Sequence, residues 1–348
     1  MKTNGARNPT ADAFLTASAT VVCLFLAEWL RLTYANLAVW TTYMVMAQYA
    51  YTRFQKGVER VAGRALGILA GLVLTTWFHD TPALALILIA VLLTAFFYFY
   101  FADRVAYTFL NAGLYLVAMF EIGRADPASA VFAARELFSA VVLGVVVSTL
   151  MTWLFSRERD LSIQFGETPL WPVREEWVNQ SLMLAVTVLL TLFGANVIDL
   201  PAEQAAISVM MLTVTPHVQA MILKGKLRIA GALLATAWAA VIFVVVGVLP
   251  HLPLLAALLF LGQFAAAYIT HTAGKYAYAG VQLGLVLPMV VVAPRTEFGE
   301  FTPAMQRLEG IFVGLAASIL VAVLWPRFPL VERTALASPP ILPGELNV

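Results

Sequence analysis

The sequence predicts an all-α, polytopic membrane protein of about twelve transmembrane helices, laid out as two parallel six-helix repeats. Three observations predict it. Of 348 residues, 61% are hydrophobic and 12% are charged. A soluble domain is nearer half apolar and a quarter charged, and a water-soluble core of this length has no room for so much apolar surface. Apolar segments of spanning length recur along the whole chain, separated by short turns. Finally, KGVERVAGRALGILAG at Lys56–Gly71 returns in altered form as KGKLRIAGALLATAWA at Lys224–Ala239, 168 residues later.

The segments fall at roughly 12–31, 35–52, 61–78, 82–101, 104–121 and 132–155 in the first half. In the second they fall at roughly 178–198, 201–218, 228–249, 252–271, 274–293 and 305–325. His79-Asp80-Thr81-Pro82, Asp126-Pro127, Asp199-Leu200-Pro201 and Pro250-His251-Leu252-Pro253 carry turn chemistry between them. The expected organisation is 1–155 as the first membrane repeat, 156–177 as a cytoplasmic linker, 178–326 as the second repeat and 327–348 as a cytoplasmic tail. The linker is the one long polar stretch, too short for a folded domain, with Trp171 and Trp177 suited to the headgroup region. The stretch from Pro326 to Val348 contains five prolines. Lys2 and Arg7 precede an apolar run without a small-residue cleavage site, so this reads as an uncleaved first span.

Charge sets the orientation. With the N-terminus cytoplasmic, sixteen Lys and Arg lie inside, and only Arg31, Arg124, Arg135, Arg295 and Arg307 lie outside. The positive-inside rule favours N-in and C-in. Six spans per half give both halves the same orientation, a parallel repeat about an axis along the membrane normal. The formal charge of +1 carries no information about partners, and a nucleic-acid partner is not expected. Cys23 is the one cysteine. No intrachain disulfide or cysteine-based metal site follows, and four His and one Cys make no metal cluster. HExxH, GxSxG and Walker A patterns are absent, so neither an enzyme nor a nucleotide-driven pump is indicated and no cofactor is implied.

Several constellations carry chemistry. Lys56, Arg60 and Arg64 share a helical face at i, i+4 and i+8, and Lys224 and Arg228 repeat the first two. As topology they are positive-inside charges at the mouth of each third span. As function, paired basic mouths concentrate cytoplasmic anions. Gly63, Gly67 and Gly71, with Gly231, Ala235 and Ala239 in the second copy, allow close helix packing, within the chain or in a homodimer. Ala140-Gly144-Ser148 and Gly310-Gly314-Ser318 form a similar series in the sixth spans.

Arg135 and Arg307 each stand 18 residues before a tryptophan, Trp153 and Trp325, near the outer end of the sixth spans. They read either as snorkelling or Arg–Glu pairs, or as a symmetric pair of carboxylate-binding cations on an axial path. The fifth spans are the most polar. Tyr107 and Asn111 share one face and Tyr278 and Gln282 another, each at i, i+4, and an offset of 169 would set Tyr107 opposite Tyr276. Rings with one polar end suit an aromatic acid, and equally suit interhelical hydrogen bonds. For proton coupling the candidates are Glu28 and His217, with Glu203 and His271 beside them.

WTTYMVMAQYAYTRFQKGVERVAGRALGILAG and AAISVMMLTVTPHVQAMILKGKLRIAGALLA share a layout: a second span, a short polar crossing, and a K-G-x-x-R-x-x-G lead-in to a glycine-rich third span. With RLEGIFVGLAASILVAVLWPRFP they resemble the repeat of the fusaric acid resistance and aromatic acid exporter (FUSC-like) superfamily. The resemblance covers roughly 15–155 and 178–326. It implies a multi-pass exporter of aromatic or other organic acids in the bacterial inner (plasma) membrane, working with an HlyD-type periplasmic adaptor and an outer-membrane channel. Many members carry large cytoplasmic domains after each half. This chain has the short linker and tail instead and reads as a compact variant. The expected function is proton-driven export of organic, above all aromatic carboxylic, acids. The competing readings are a major-facilitator carrier, a passive anion channel and a membrane scaffold for an envelope complex. RFQKGVERVAGR lacks the Asp of the facilitator loop pattern.

Overall fold

A computed structural model describes residues 8–48, 52–102, 105–155, 174–214, 218–292 and 302–325. The described residues are helical and contain no strand. The helices are α1 (Pro9–Trp29), α2 (Ala35–Met46), α3 (Arg53–Trp77), α4 (Pro82–Phe101), α5 (Ala106–Ala125) and α6 (Ala130–Phe155), then α7 (Glu175–Val197), α8 (Ala202–Thr213), α9 (Val218–Val248), α10 (Leu252–Thr272), α11 (Ala277–Val291) and α12 (Thr302–Leu324). A 3₁₀ turn, Gly274–Tyr276, precedes α11.

Local chemistry sets several ends. Asn8 caps α1, its Oδ1 accepting from the amides of Thr10 and Ala11 at 3.1 and 3.2 Å, and Pro9 occupies the first turn where no donor is missed. Pro82 and Pro253 open α4 and α10 in the same way. Pro288 lies inside α11 and has no N–H for the carbonyl of Gly284. Gln263 of α10 makes up the loss, its Nε2 donating to that carbonyl at 3.1 Å.

A helix lies at each of the twelve expected places, but eight are long and apolar enough to cross a membrane: α1, α4, α5, α6, α7, α9, α10 and α12. Among the described residues, eight crossings are therefore supported by length and composition, and the expected twelve are not confirmed. At 12 residues, α2 and α8 rise about 18 Å, well short of a ~30 Å hydrocarbon core. The 15 residues of α11 are also short. In α3 the length suffices, but the Arg and Glu residues of its first half lower its hydropathy. Two helices start earlier than expected, α3 at Arg53 and α9 at Val218, because the basic lead-in is itself helical.

The chain forms two compact units, and each draws on both halves of the sequence. One holds α1, α2, α10 and α11, with the start of α3 as far as Gly57, α6 from Ser139 and α9 from Leu227. In it α1 packs on α2 and α10, α10 on α11, and α11 on α2. Phe14 of α1 meets Phe260 of α10 edge-on at 5.4 Å. The other unit holds α4, α5, α7 and α8, with α3 from Val58, α6 as far as Phe138, α9 as far as Lys226 and α12 from Met305. There α7 packs on α8 and α4, α4 on α5, and α5 on α8. Tyr98 of α4 meets Trp177 of α7 at 5.8 Å. Each unit thus joins helices one, two and six of one half to helices three, four and five of the other.

Backbone strain recurs at matching places. Arg31 and Asp199, which end the first helix of each half, both have positive φ, at 55° and 56°. Val105 and Gly274, before the fifth helices, have φ of 46° and 53°. The left-handed region is costly for a β-branched residue and free for glycine, so the Gly274 copy is the relaxed one.

Candidate functional site

The third helix of each half carries glycines on its buried face, and these decide what its arginines touch. Within the unit that contains α5, a Cβ on Gly63 would overlap the Thr108 carbonyl and come within 2.9 Å of the Asn111 Cβ. One on Gly67 would reach the Tyr115 Cβ at 2.9 Å, and one on Gly71 the Met119 Cβ at 2.5 Å. In the other unit Gly231 of α9 lies against Ala279 and, at 2.6 Å from its ideal Cβ, the Gln282 Cβ of α11. Backbone-to-backbone approach of this kind needs residues without side chains.

The close approach brings Arg to Tyr twice. Arg60 of α3 donates from Nη1 to the Tyr107 hydroxyl of α5. Its guanidinium carbon lies 5.8 Å from the ring centroid of Tyr107. In the other unit Arg228 of α9 donates from Nη1 to the Tyr278 hydroxyl of α11 at 3.1 Å. Both arginines are buried, Arg60 at 2% and Arg228 at 0% exposure. Arg64, also fully buried, lies over the Tyr115 ring at 4.3 Å, a cation–π contact. The expectation of a water-facing mouth does not describe these side chains. Only Lys56 and Lys224 remain half-exposed. The physical reason is that Arg60, Arg64 and Arg228 sit on the same helical stripe as the glycines, which is the packed face.

The structural register also differs from the expected one. Gly63 rests on Thr108 and Asn111, and Gly231 on Ala279 and Gln282. Tyr107 therefore corresponds to Tyr278, and Asn111 to Gln282. Tyr276 belongs to the 3₁₀ turn and is exposed. That turn supplies the extra residues that the offset of 169 did not allow for. The copies are unequal. The Arg64–Tyr115 pair has Ala232 and Val286 at the matching positions of the second copy, both buried. Asn111 returns its Nδ2 to the Tyr107 carbonyl of its own helix at 2.7 Å. Gln282 is fully buried, and neither Oε1 nor Nε2 has a hydrogen-bond partner among the described residues.

Arg135 and Arg307 are not brought into equivalent settings. The Arg135 side chain is 68% exposed, bonded to Glu136 Oε1 at 3.1 Å and lying 5.0 Å over Phe132. Arg307 is buried and donates from Nη1 to Gln204 Oε1 of α8 at 2.6 Å. The glycine contacts explain the difference. Gly144 lies against Ala38 and Thr41, and Gly314 against Ala205 and Ser208, so Arg307 corresponds to Leu137 rather than Arg135. Equal spacing to a tryptophan was the misleading signal. Glu28, near the end of α1, is half-buried, and His217 lies outside the described residues.

Sequence reasoning also missed Arg53. Its Nε donates to the carbonyls of Met46 and Gln48 at 3.1 and 3.2 Å, and Nη2 lies 3.6 Å from Asp12 Oδ1. Among the described residues no group of His, Cys, Asp and Glu is placed to hold a metal. The chemistry assembled is a buried guanidinium, a phenol and an amide in an apolar helical interior. Such a set can pair with an anion through charge-assisted hydrogen bonds.

Residues 22–151, from within α1 to within α6, match the family model described as fusaric acid resistance protein-like. The match, over less than half of the chain, supports the resemblance carried by the Lys56–Gly71 motif, and with the apolar helices it supports a multi-pass membrane protein. No curated protein and no solved structure matched the chain.

Proposed function

We propose, from a first half that matches the fusaric acid resistance protein-like family, that this protein exports organic carboxylic acids across the bacterial inner membrane. One observation carries the site assignment. At matching positions of the two halves an arginine is buried in an apolar helical protein and bonded to a tyrosine hydroxyl, Arg60 to Tyr107 and Arg228 to Tyr278. Burying a guanidinium in a membrane protein is costly, and such residues mark substrate paths. A guanidinium presents two parallel donors to a carboxylate, and the tyrosine ring beside it suits an aromatic acid.

In this reading Arg60 and Arg228 each hold a carboxylate within their own unit, and Tyr107 and Tyr278 fix the respective guanidinium groups in place. Lys56 and Lys224 draw anions from the cytoplasm, with the chain N-in and C-in. Arg135 and Arg307 take structural roles. Glu28 and His217 are the candidates for proton exchange, and an HlyD-type adaptor, an outer-membrane channel and a homodimeric partner remain the expected associations.

Microcalorimetry on the purified full chain in lipid nanodiscs tests the site with benzoate. Wild type is expected to bind it, with Arg228→Gln and Arg60→Gln each weakening binding about 10-fold or more. Unchanged affinity in both variants removes the site from these residues.

A further inference from the structure

Gly280, Gly284 and Pro288 stand at i, i+4 and i+8 on α11. Pro288 offers no N–H to the Gly284 carbonyl, and its ring crowds that oxygen, a well-defined cause of a helix bend. In lipid no water replaces the missing donor, so a neighbouring helix must supply one. Gln263 of α10 does so from Nε2 at 3.1 Å. Gln263 is fully buried, and its Oε1 has no hydrogen-bond partner among the described residues, so the bond to Gly284 is what holds the amide. At the other end of the helix, Gly274 has φ of 53° and open space around it. The segment that carries Tyr278 therefore runs between two yielding points.

Tyr43 of α2 holds that segment. Its hydroxyl donates to the Gly280 carbonyl at 3.1 Å and lies 3.1 Å from Thr270 Oγ1 of α10. Its ring occupies the space that a side chain at Gly284 would need. Tyr43 is fully buried, so water does not compete for these bonds. One phenol thus ties α2, α10 and α11 together, all within the compact unit that contains Arg228.

The first copy lacks these devices. By the register of the glycine contacts, Phe109, Gly113 and Val117 of α5 stand at the places of Gly280, Gly284 and Pro288, and Met210 of α8 stands at the place of Tyr43. Val117 keeps its N–H, and α5 runs for 20 residues without an internal proline. Gly113 meets the apolar side chains of Phe97 and Leu93 instead of a phenol.

We propose that α11 is the moving element of its unit, bending between Gly284 and Pro288, and that the Tyr43 hydroxyl is the latch that holds it in the conformation described here. When the latch opens, the segment swings and carries Tyr278 away from Arg228. The consequence for transport rests on the reading of Arg228–Tyr278 as a carboxylate site; the bend and the latch do not. Tyr43, Gln263 and Pro288 are positioning residues: they act on the site through α11.

The test combines hydrogen exchange by mass spectrometry on the full chain in nanodiscs with benzoate turnover in proteoliposomes. Tyr43→Phe keeps the ring and removes the hydroxyl, and the amides of 280–291 are expected to exchange about 5-fold faster while those of α5 stay as in wild type. Pro288→Ala returns an N–H to the Gly284 carbonyl and acts in the opposite direction. It is expected to slow exchange at 284–291 and to slow benzoate turnover about 10-fold, with benzoate affinity by microcalorimetry within about twofold of wild type. A proline that only shapes the helix would leave turnover unchanged. The inference is overturned if Tyr43→Phe leaves α11 exchange at the wild-type rate or loosens α5 equally, or if folded Pro288→Ala protein turns over as fast as wild type. If wild type neither binds nor moves benzoate, the carboxylate-site reading fails and the exchange rates alone decide the latch. Should one variant not fold, the other decides it.

Discussion

Gly231→Ala is the smallest change that should open the Arg228–Tyr278 arrangement. An alanine Cβ there would stand 2.6 Å from the Gln282 Cβ and closer still to the Ala279 carbonyl. Ordinary carbon contact needs about 3.5 Å, so α9 and α11 must part by about 1 Å at this level. The hydrogen bond from Arg228 to Tyr278 is 3.1 Å, and the same displacement takes it to about 4 Å, beyond bonding range. Overpacking costs about 1–3 kcal/mol, against which alanine returns up to about 1 kcal/mol of helix propensity. The net loss expected is about 1–2 kcal/mol, read by thermal unfolding of the protein in detergent. Gly247, on the same helix, has nothing within 4 Å of its ideal Cβ. Gly247→Ala should therefore be neutral or stabilising by up to about 1 kcal/mol. A Gly231→Ala protein as stable as wild type, or a Gly247→Ala protein equally weakened, would refute the packing argument.

Two further expectations follow from single contacts. Tyr278→Phe removes the hydroxyl that accepts from Arg228 and should destabilise by about 1.5–3 kcal/mol, the range for a hydrogen bond to a charged group; no change in unfolding temperature would mean the bond does not form. At the strained turns, Gly274→Val should cost about 1–2 kcal/mol because its φ is +53°, whereas Val105→Gly, at φ +46°, should be neutral or stabilising by up to about 1 kcal/mol; equal effects of the two on unfolding would contradict the strain assignment.

The sequence made the helices legible because membrane helices are marked by length and hydropathy, and a helix occurs at each of the twelve expected places. What hydropathy does not encode is whether a helix of 12 residues, such as α2 or α8, crosses the bilayer. Nor does it encode which helices pack together. The pairing of α1 with α10 and α4 with α7 joins segments distant in sequence. The Lys56–Gly71 motif was visible but read from the wrong side. Counting positive charges treats every Arg as water-facing, whereas Gly57, Arg60, Gly63, Arg64 and Gly67 are all buried. An arginine spaced three or four residues from glycines on a packing stripe is the signal for burial, and it was present in the sequence. The register of the fifth helices was hidden by the turn at Gly274–Tyr276, which shifts Tyr278 onto the place of Tyr107. The similarity of Arg135 and Arg307 was one of spacing to a tryptophan alone, and the glycine contacts that set the register of the sixth helices differ from it by two residues.

The most direct test of the central claim is flux of a radiolabelled aromatic carboxylate through proteoliposomes carrying Arg60→Gln together with Arg228→Gln, at matched protein incorporation. Glutamine keeps a hydrogen-bonding side chain at each place and removes the charge. With the two buried guanidinium groups gone, flux is expected to fall to the level of empty liposomes, while wild type transports the acid and is saturated by it. Undiminished flux in a folded double variant would contradict the claim that these arginines hold the substrate.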